Sequence, residues 1–164
     1  MTDGDGPTAG AEPATRPTIA LSKAAYDRLV EHTRTGDPAE VCGVLGGPSA
    51  SGGDERDGGD RRVETALPVE NVADERRTRY ELDPAEQLRR IEEIEEDGGA
   101  VVGFYHSHPR GPAGPSETDR SLATWPDASY VIVSLAGDEP AVGSWRWTGD
   151  RFVRETVVVA DERT

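Results

Sequence analysis

The sequence predicts a single α/β domain in which a mixed β-sheet is flanked by about three helices. Three observations predict it. Short apolar runs of strand length recur along the chain, and amphipathic segments with helical spacing of their apolar residues lie between them. Glycine, proline and aspartate separate these segments at the expected turns. The 164 residues are enough for one domain of ordinary size.

The first predicted helix follows a short β-branched strand at residues 18–21. Ser22 is the expected N-cap, because a serine side chain can accept a hydrogen bond from a free amide of the first turn. The helix is predicted to end near Arg34, and its inner face is expected to carry Tyr26, Leu29 and Val30.

Two further helices are predicted from their first turns. In the second, Asp83 is the expected N-cap, Pro84 the first-turn proline and Glu86 the capping-box partner. Its apolar face is predicted to consist of Leu88, Ile91 and Ile94. A third, short helix is predicted from Ser116 to about Trp125.

The apolar runs between the helices predict the remaining strands. These lie at residues 41–45, 62–69, 78–82, 100–105, 130–135, 142–147 and 152–159. Residues 148–150 read Thr-Gly-Asp, which predicts a hairpin between the last two strands. Residues 1–17 are rich in Gly, Pro, Ala and acid and predict a disordered tail, and residues 49–61 predict a mobile loop inside a domain spanning 18–160.

Composition excludes several classes of function. The formal net charge of -14 would repel nucleic acid and anionic membranes, so neither is an expected partner. No apolar run approaches the roughly 20 residues of a membrane span, and the N-terminus lacks signal-peptide features, so we expect a cytoplasmic protein. The single cysteine, Cys42, excludes an internal disulfide and a multi-cysteine zinc site.

Two histidines directly follow a predicted buried strand. His106 and His108 are two residues apart, so on an extended chain their side chains project to the same face and can converge on one metal ion. A His-x-His pair alone is more often a pair of surface histidines. The segment after it changes this balance, because three prolines and two glycines form a turning loop before Ser116 and Asp119.

Ser116 and Asp119 have two interpretations. They stand at N-cap and N3 positions, so they form a capping box whether or not they have a catalytic role. Asp119 also provides an oxygen ligand of the kind that zinc accepts, and three protein ligands leave a fourth position for water, as in catalytic sites. A hydrolytic site also needs a general base. Glu40 precedes an apolar strand, but spacing alone does not separate it from 31 other acidic residues.

These residues together resemble a known family. His106-Ser107-His108, seven residues and Ser116-Glu117-Thr118-Asp119 match every fixed position of the JAMM motif, His-x-His-x(7)-Ser-x-x-Asp. The segment from Glu40 to Gly47 resembles the family's Glu-x-Cys-Gly-x-Leu segment. The chain is therefore identified as a member of the JAMM/MPN+ zinc metalloproteases over roughly residues 19–159.

The resemblance implies a fold, a metal and a chemistry. It implies the MPN fold with its curved mixed sheet, zinc held by His106, His108 and Asp119, Glu40 as general base and Ser116 as a donor to the oxyanion. Together with the acid-rich, Lys-poor composition, which resembles that of salt-loving archaea, it implies a desampylase. Such an enzyme cleaves after the diglycine of ubiquitin-like modifiers in their lysine-linked conjugates.

Two other functions remain open. A peptidase that processes a sulfur-carrier protein would have the same active site, and a metal-free MPN scaffold would only bind partners. Five other residues also have to be interpreted. Cys42 is expected to be a buried packing thiol and His32 to be exposed, whereas Trp145 and Trp147 share one face and are expected in the core rather than as a substrate platform. Tyr80 is ambiguous, and the oligomeric state is not predicted.

Overall fold

The computed structural model describes residues 16–49 and 60–160. The elements in chain order are β1 (Thr18–Ser22), α1 (Lys23–Gly36), β2 (Cys42–Pro48), β3 (Arg61–Val63), β4 (Thr65–Val69), α2 (Pro84–Glu96), β5 (Gly99–His108), α3 (Glu117–Leu122), β6 (Ser129–Ser134), β7 (Ala141–Trp147) and β8 (Phe152–Ala160). The eight strands form one sheet in the order β3-β1-β8-β7-β6-β5-β2-β4. Parallel and antiparallel pairs both occur in it, so the predicted mixed α/β class is confirmed.

The sheet is curved, and its two edge strands follow each other directly along the chain. β3 and β4 lie at opposite ends of the strand order, yet only Glu64 separates them along the chain. The backbone N–H of Glu64 donates to the carbonyl of Gly46 at 2.8 Å. The prediction of one strand at residues 62–69 was therefore wrong, because the chain leaves one edge of the sheet at Val63 and joins the other edge at Thr65.

Apolar side chains pack on both faces of the sheet. The face covered by α1 contains a buried cluster of Ile19, Leu21, Ala25, Leu29, Val41, Leu45, Val63, Ala66, Tyr105, Val131 and Val133. The other face carries Val44, Val69, Ile94, Phe104, Ala123, Ala128 and Tyr130. The predicted inner face of α1 is present, with Tyr26 partly buried against the first cluster. Leu88 is 56% exposed, so its placement on the apolar face of α2 was wrong.

The helix caps follow the sequence closely. The Ser22 side chain accepts from the Ala25 N–H, and the Asp83 side chain accepts from the Glu86 N–H at 3.0 Å. Glu86 does not complete a capping box, which corrects the prediction. Its Oε1 accepts from the N–H of Glu70, while the N–H of Asp83 donates to the Glu70 carbonyl, so Glu86 ties α2 to the end of β4.

Two other predicted elements differ from the structure. The strand predicted at residues 78–82 is reduced to one bridge between Asn71 and Leu82. The Asn71 side chain satisfies this segment instead, donating to the Arg79 carbonyl and accepting from the Glu81 N–H, both at 3.0 Å. The third helix ends at Leu122 rather than near Trp125, whose N–H donates to the Tyr130 hydroxyl.

Parts of the sequence predictions fall outside the described residues. This holds for residues 1–15 of the predicted tail and for residues 50–59 of the predicted loop. The carbonyl of Pro17 accepts from the Thr156 N–H at 2.9 Å. Among the helices of the described part, none has the length and apolar character needed to cross a membrane.

Candidate metal centre

The two histidines lie at the end of β5, and both side chains are buried. The strand extends to His108, three residues beyond its predicted end, so both imidazoles lie within regular sheet. His106 pairs with Cys42 of β2, and His108 pairs with Ser134 of β6. The alternation of strand side chains places the two rings on one face, and their Nε2 atoms lie 3.3 Å apart.

Asp119 reaches the same place from the first turn of α3. The Ser116 hydroxyl accepts from the Asp119 N–H at 3.0 Å, and Asp119 Oδ2 accepts from the Ser116 N–H at 2.9 Å. The predicted capping box is therefore present. The same Oδ2 lies 3.2 Å from Nε2 of His106 and 3.1 Å from Nε2 of His108. The cap thus fixes the direction of the carboxylate.

The three atoms form a triangle of suitable size for one metal ion. Its edges are 3.3, 3.2 and 3.1 Å. A tetrahedral zinc with bonds of about 2.0–2.1 Å holds its ligand atoms about 3.3–3.4 Å apart. The two nitrogens and one oxygen therefore lie close to three corners of a zinc tetrahedron, and this donor set fits the metal.

The loop before α3 fixes the tautomer of His108. Its Nδ1 lies 2.7 Å from the carbonyl of Pro112, which can only accept, so Nδ1 carries a hydrogen. In the neutral ring Nε2 then has the lone pair that a metal would accept, and in the protonated ring Nε2 donates to Asp119. The Ser134 hydroxyl donates to the carbonyl of Gly111, the residue before Pro112, and accepts from the Ala136 N–H. β6 therefore holds the loop that orients His108.

Glu40 approaches from the start of β2. Single donor atoms of Glu40, His106 and His108 all lie within 4.8 Å of one another, which is a spacing that a metal site allows. The backbone of Glu40 is bound on both sides. Its N–H donates to the Arg76 carbonyl, and its carbonyl accepts from Asn71 Nδ2 at 2.9 Å. Its Oε1 is buried and has no hydrogen-bond partner among the described residues.

The two carboxyl groups of the site have opposite electrostatics. Burial raises the pKa of Glu40 to about 7, with His108 opposing and Asp119 reinforcing the shift. Burial would also raise the pKa of Asp119, but hydrogen bonds with His106 and His108 outweigh it and hold this pKa well below its usual range. One carboxyl is therefore firmly ionised while the other can take up a proton near neutral pH.

The pKa values of the two histidines are also shifted in opposite directions. Burial lowers the pKa of His106, which favours the neutral imidazole that binds metals. Burial would lower the pKa of His108 as well, but its hydrogen bonds with Asp119 and with the Pro112 carbonyl raise it overall.

Three further side chains with more than one interpretation in the sequence have clear surroundings in the structure. Cys42 is fully buried with its thiol 3.5 Å from the Val69 carbonyl, and burial raises its pKa to about 12, as expected of a packing thiol. Trp147 packs against the second apolar cluster. Trp145 is partly exposed, with the Arg154 guanidinium 5.5 Å from its ring centroid.

His32 is half-buried, so the expectation of an exposed side chain was wrong. Its Nδ1 lies 2.7 Å from the Tyr105 hydroxyl, and burial lowers its pKa. The ambiguous Tyr80 is 5% exposed and stacks on His106. The supporting residues Asn71 and Ser134 were missed, because nothing in their sequence context separates them from other loop and strand residues.

Comparison with known proteins assigns the family. Residues 22–148 match the family model described as prokaryotic homologs of the JAB domain. The chain belongs to this family. The predicted family is confirmed.

Two relatives show how far the sequence similarity extends. A desampylase from Haloferax volcanii is 44% identical over 145 residues, which are 86% of this chain and 96% of that protein. A CysO-cysteine peptidase from Mycobacterium tuberculosis is 42% identical over 106 residues, covering 65% of this chain and 66% of that protein.

Solved structures show the same fold. A protein from Desulfitobacterium hafniense is 33% identical with a TM-score of 0.77, covering 88% of this chain and 94% of that chain. A JAB1/MPN domain protein from Archaeoglobus fulgidus has a TM-score of 0.54 at 20% identity, covering 86% of this chain and 98% of that chain. The predicted MPN fold is confirmed.

Proposed function

We propose that this JAB domain protein is a zinc-dependent isopeptidase that cleaves directly after the C-terminal diglycine of ubiquitin-like modifiers. The observation that carries the proposal is the triangle of His106 Nε2, His108 Nε2 and Asp119 Oδ2, with edges of 3.1–3.3 Å and the Glu40 carboxyl beside it. Such a set supports metal-assisted hydrolysis of an amide bond.

Zinc is the metal that the donor set fits best. Two imidazole nitrogens and one carboxylate oxygen are common in catalytic zinc sites, which leave a fourth position open. When bound there, zinc would polarise the scissile carbonyl and lower the pKa of a coordinated water toward about 7. Between the two carboxylates, Asp119 is the better ligand, because its Oδ2 already lies at ligand spacing from both imidazoles and its position is fixed by Ser116.

Glu40 is assigned the role of general base. Its raised pKa, near 7, suits a group that takes a proton from the attacking water and passes it to the departing amine. The water oxygen bonds to the carbonyl carbon, the carbon–nitrogen bond breaks, and the products are a glycine carboxylate and a free amine. The unpartnered Oε1 of Glu40 is available for these transfers.

Ser116 is assigned to the oxyanion. Its oxygen accepts from the Asp119 N–H, which leaves the hydroxyl hydrogen free to donate to a substrate. Ser116 is exposed at the rim of the site, one turn from Asp119 and beside the metal position. A donor of this type often contributes about 3–4 kcal/mol to the transition state.

The substrate assignment rests on similarity. The relative that aligns over 96% of its length is named a desampylase, which supports cleavage of lysine-linked modifier conjugates. We place the reaction in the cytoplasm. We expect no nucleic acid or membrane partner, because a net charge of -14 opposes binding to nucleic acid and to anionic membranes. We expect high salt to favour the reaction by screening repulsion from an acidic modifier.

The substrate is tested with matched conjugates. A modifier ending in Gly-Gly and joined to lysine is compared with the same conjugate ending in Ala-Ala, each with and without a chelator. The proposal expects cleavage of the diglycine conjugate alone and its loss in chelator. Equal rates on the two conjugates would leave only a general metallopeptidase.

The metal is tested separately by elemental analysis of the purified protein. We expect close to one zinc per chain, and none in the doubled variant His106→Ala, His108→Ala. A wild-type protein that takes up no zinc, or a doubled variant that retains it fully, would contradict the assignment.

A second function has specific support in the similarity to a CysO-cysteine peptidase. In that case the protein would release an amino acid from a sulfur-carrier protein. The two functions are distinguished by offering the diglycine-ended modifier carrying a terminal cysteine and the same modifier joined to a lysine side chain, and by comparing kcat/KM. A scaffold without activity is disfavoured because all four proposed metal and base residues are present and close together.

A further inference from the structure

A turn rich in arginine lies against the proposed general base. The residues from Arg76 to Arg79, called the basic turn below, carry three arginines, and Arg76, Arg77 and Arg79 are all exposed. The turn is closed by the N–H groups of Thr78 and Arg79, which both donate to the carbonyl of Glu75. Its backbone is thus held while its three side chains extend into solvent.

Three contacts attach the basic turn to the site. The carbonyl of Arg76 accepts from the N–H of Glu40, and Asn71 Nδ2 bridges the carbonyls of Glu40 and Arg79 at 2.9 and 3.0 Å. The next residue, Tyr80, stacks on His106. The basic turn therefore lies directly beside Glu40 and His106.

The arginines of the basic turn are available for binding. Arg62, Arg90 and Arg146 make ion pairs with carboxylates of the chain. In the described ranges 16–49 and 60–160, no ion pair involves Arg76, Arg77 or Arg79. In a chain of net charge -14, this places three exposed arginines beside the proposed base, flanked by the exposed acids Asp74, Glu75 and Glu81.

We propose that the basic turn is a docking surface for a carboxylate-rich face of the modifier, and that it selects the modifier rather than the protein to which the modifier is joined. The proposal rests on the proposed function, in which every substrate carries the same modifier while the joined protein varies. Arginine pairs with carboxylates through two parallel hydrogen bonds, which gives both attraction and orientation.

Charge reversal at Arg77 tests the proposal. Arg77→Glu is the cleanest variant, because the backbone contacts to the site belong to Arg76 and Arg79. The matched control is Arg151→Glu. Arg151 is exposed in the hairpin that follows β7, beyond the Trp147–Phe152 pair. The metal site lies at the opposite end of β7, where Ala141 and His108 both pair with Ser134.

Both variants and the wild type are compared on a conjugate of an acidic ubiquitin-like modifier and on a short Gly-Gly-lysine isopeptide without a folded modifier. We expect Arg77→Glu to raise KM for the conjugate about tenfold at 0.1 M salt, with kcat and the rate on the short isopeptide unchanged. Arg151→Glu is expected to match the wild type on both substrates. The deficit of Arg77→Glu should shrink in 1 M salt, because the screening length falls from about 10 to about 3 Å.

Binding of the free modifier, measured by calorimetry, separates this proposal from the proposed function. Weaker binding by Arg77→Glu supports the docking surface even if no conjugate is cleaved. Equal binding by the wild type and Arg77→Glu, no binding by the wild type, or equal losses in Arg77→Glu and Arg151→Glu would each overturn it. So would a DNA oligonucleotide that binds the wild type as tightly as the modifier and is lost in Arg77→Glu.

Discussion

Tyr80 stacks on His106 with ring centroids 4.1 Å apart and ring planes only 16° from parallel. Both side chains are buried, and Nδ1 of His106 has no hydrogen-bond partner among the described residues. His108, by contrast, is oriented through its Nδ1 by the Pro112 carbonyl. The aromatic ring of Tyr80 thus does for His106 what a hydrogen bond does for His108, since it sets the plane of the imidazole.

Replacing Tyr80 by leucine is expected to weaken metal binding. Loss of a group that orients a metal ligand typically costs about 10–100-fold in affinity, and we expect a zinc Kd raised by an amount in this range. Competition with a chromophoric chelator measures it. Tyr80→Phe is the control, because it retains the stacked ring. Unchanged zinc affinity in Tyr80→Leu would show that sheet geometry alone orients His106.

The sequence predicts the parts of the site that depend on local rules. The alternation of a strand places His106 and His108 on one face, and the capping preference of Ser116 and Asp119 fixes the carboxylate. Both rules act within a few residues. The grouping of Glu40 with the histidines required the family resemblance, because Glu40 and His106 are 66 positions apart and no spacing rule connects them.

The features that the sequence did not predict depend on contacts between distant segments. The break at Glu64 occurs because the sheet curves, which no property of residues 62–69 reveals. The segment at 78–82 has strand-like composition. Its backbone groups at Arg79 and Glu81 form hydrogen bonds with the Asn71 side chain instead of with a neighbouring strand. His32 has polar neighbours, yet the Tyr105 hydroxyl on β5 provides it with a half-buried position.

Glu40→Ala separates metal binding from chemistry. If Glu40 is the base and Asp119 the ligand, Glu40→Ala should keep zinc and the fold while cleavage falls by about 10² or more. Asp119→Ala is the matched carboxylate control and should lose zinc as well. Elemental analysis, circular dichroism and kcat on the diglycine conjugate measure the three properties. Substantial cleavage by Glu40→Ala would mean that another group activates the water.

Ser116→Ala distinguishes capping from catalysis. As a cap alone, the serine contributes about 1 kcal/mol of stability, so the variant would melt earlier and turn over normally. As an oxyanion donor it should lose about 10²–10³ in kcat with little change in KM. We expect both losses. Ser22→Ala, at the N-cap of α1, is the control for loss of a serine cap away from the site.

Glu155 forms a buried ion pair with Arg146 on the sheet. The carboxylate accepts from Arg146 and from the hydroxyls of Ser129 and Ser144, at 2.6–3.0 Å. Glu155→Gln would remove the carboxylate charge of this buried pair, and breaking such a pair costs about 3–5 kcal/mol. Denaturant unfolding should show this loss. The double variant Glu155→Met, Arg146→Met removes both charges and should recover much of the stability. A single variant as stable as the wild type would contradict the expected cost of breaking the pair.

The Ser134 side chain connects the end of β6 to the loop that orients His108, the residue with which Ser134 pairs in the sheet. Its hydroxyl donates to the Gly111 carbonyl at 2.5 Å, and the adjacent Pro112 carbonyl accepts from Nδ1 of His108. In Ser134→Ala the loop loses this anchor, so the tautomer of His108 that presents Nε2 to the metal is no longer enforced. We expect a zinc affinity lowered about tenfold or more, which is the usual effect of losing an outer contact of a metal ligand.

The control for Ser134→Ala is Ser129→Ala, which removes a buried serine hydroxyl from the other end of the same strand. Ser129→Ala should lower the melting temperature through Glu155, to which its hydroxyl donates, and leave zinc affinity unchanged. Ser134→Thr retains the hydroxyl and should restore binding. If Ser134→Ala and Ser129→Ala lost stability alike while both bound zinc as the wild type does, Ser134 would be a structural serine only. A selective loss of zinc affinity in Ser134→Ala, rescued by threonine, would assign it the positioning of His108.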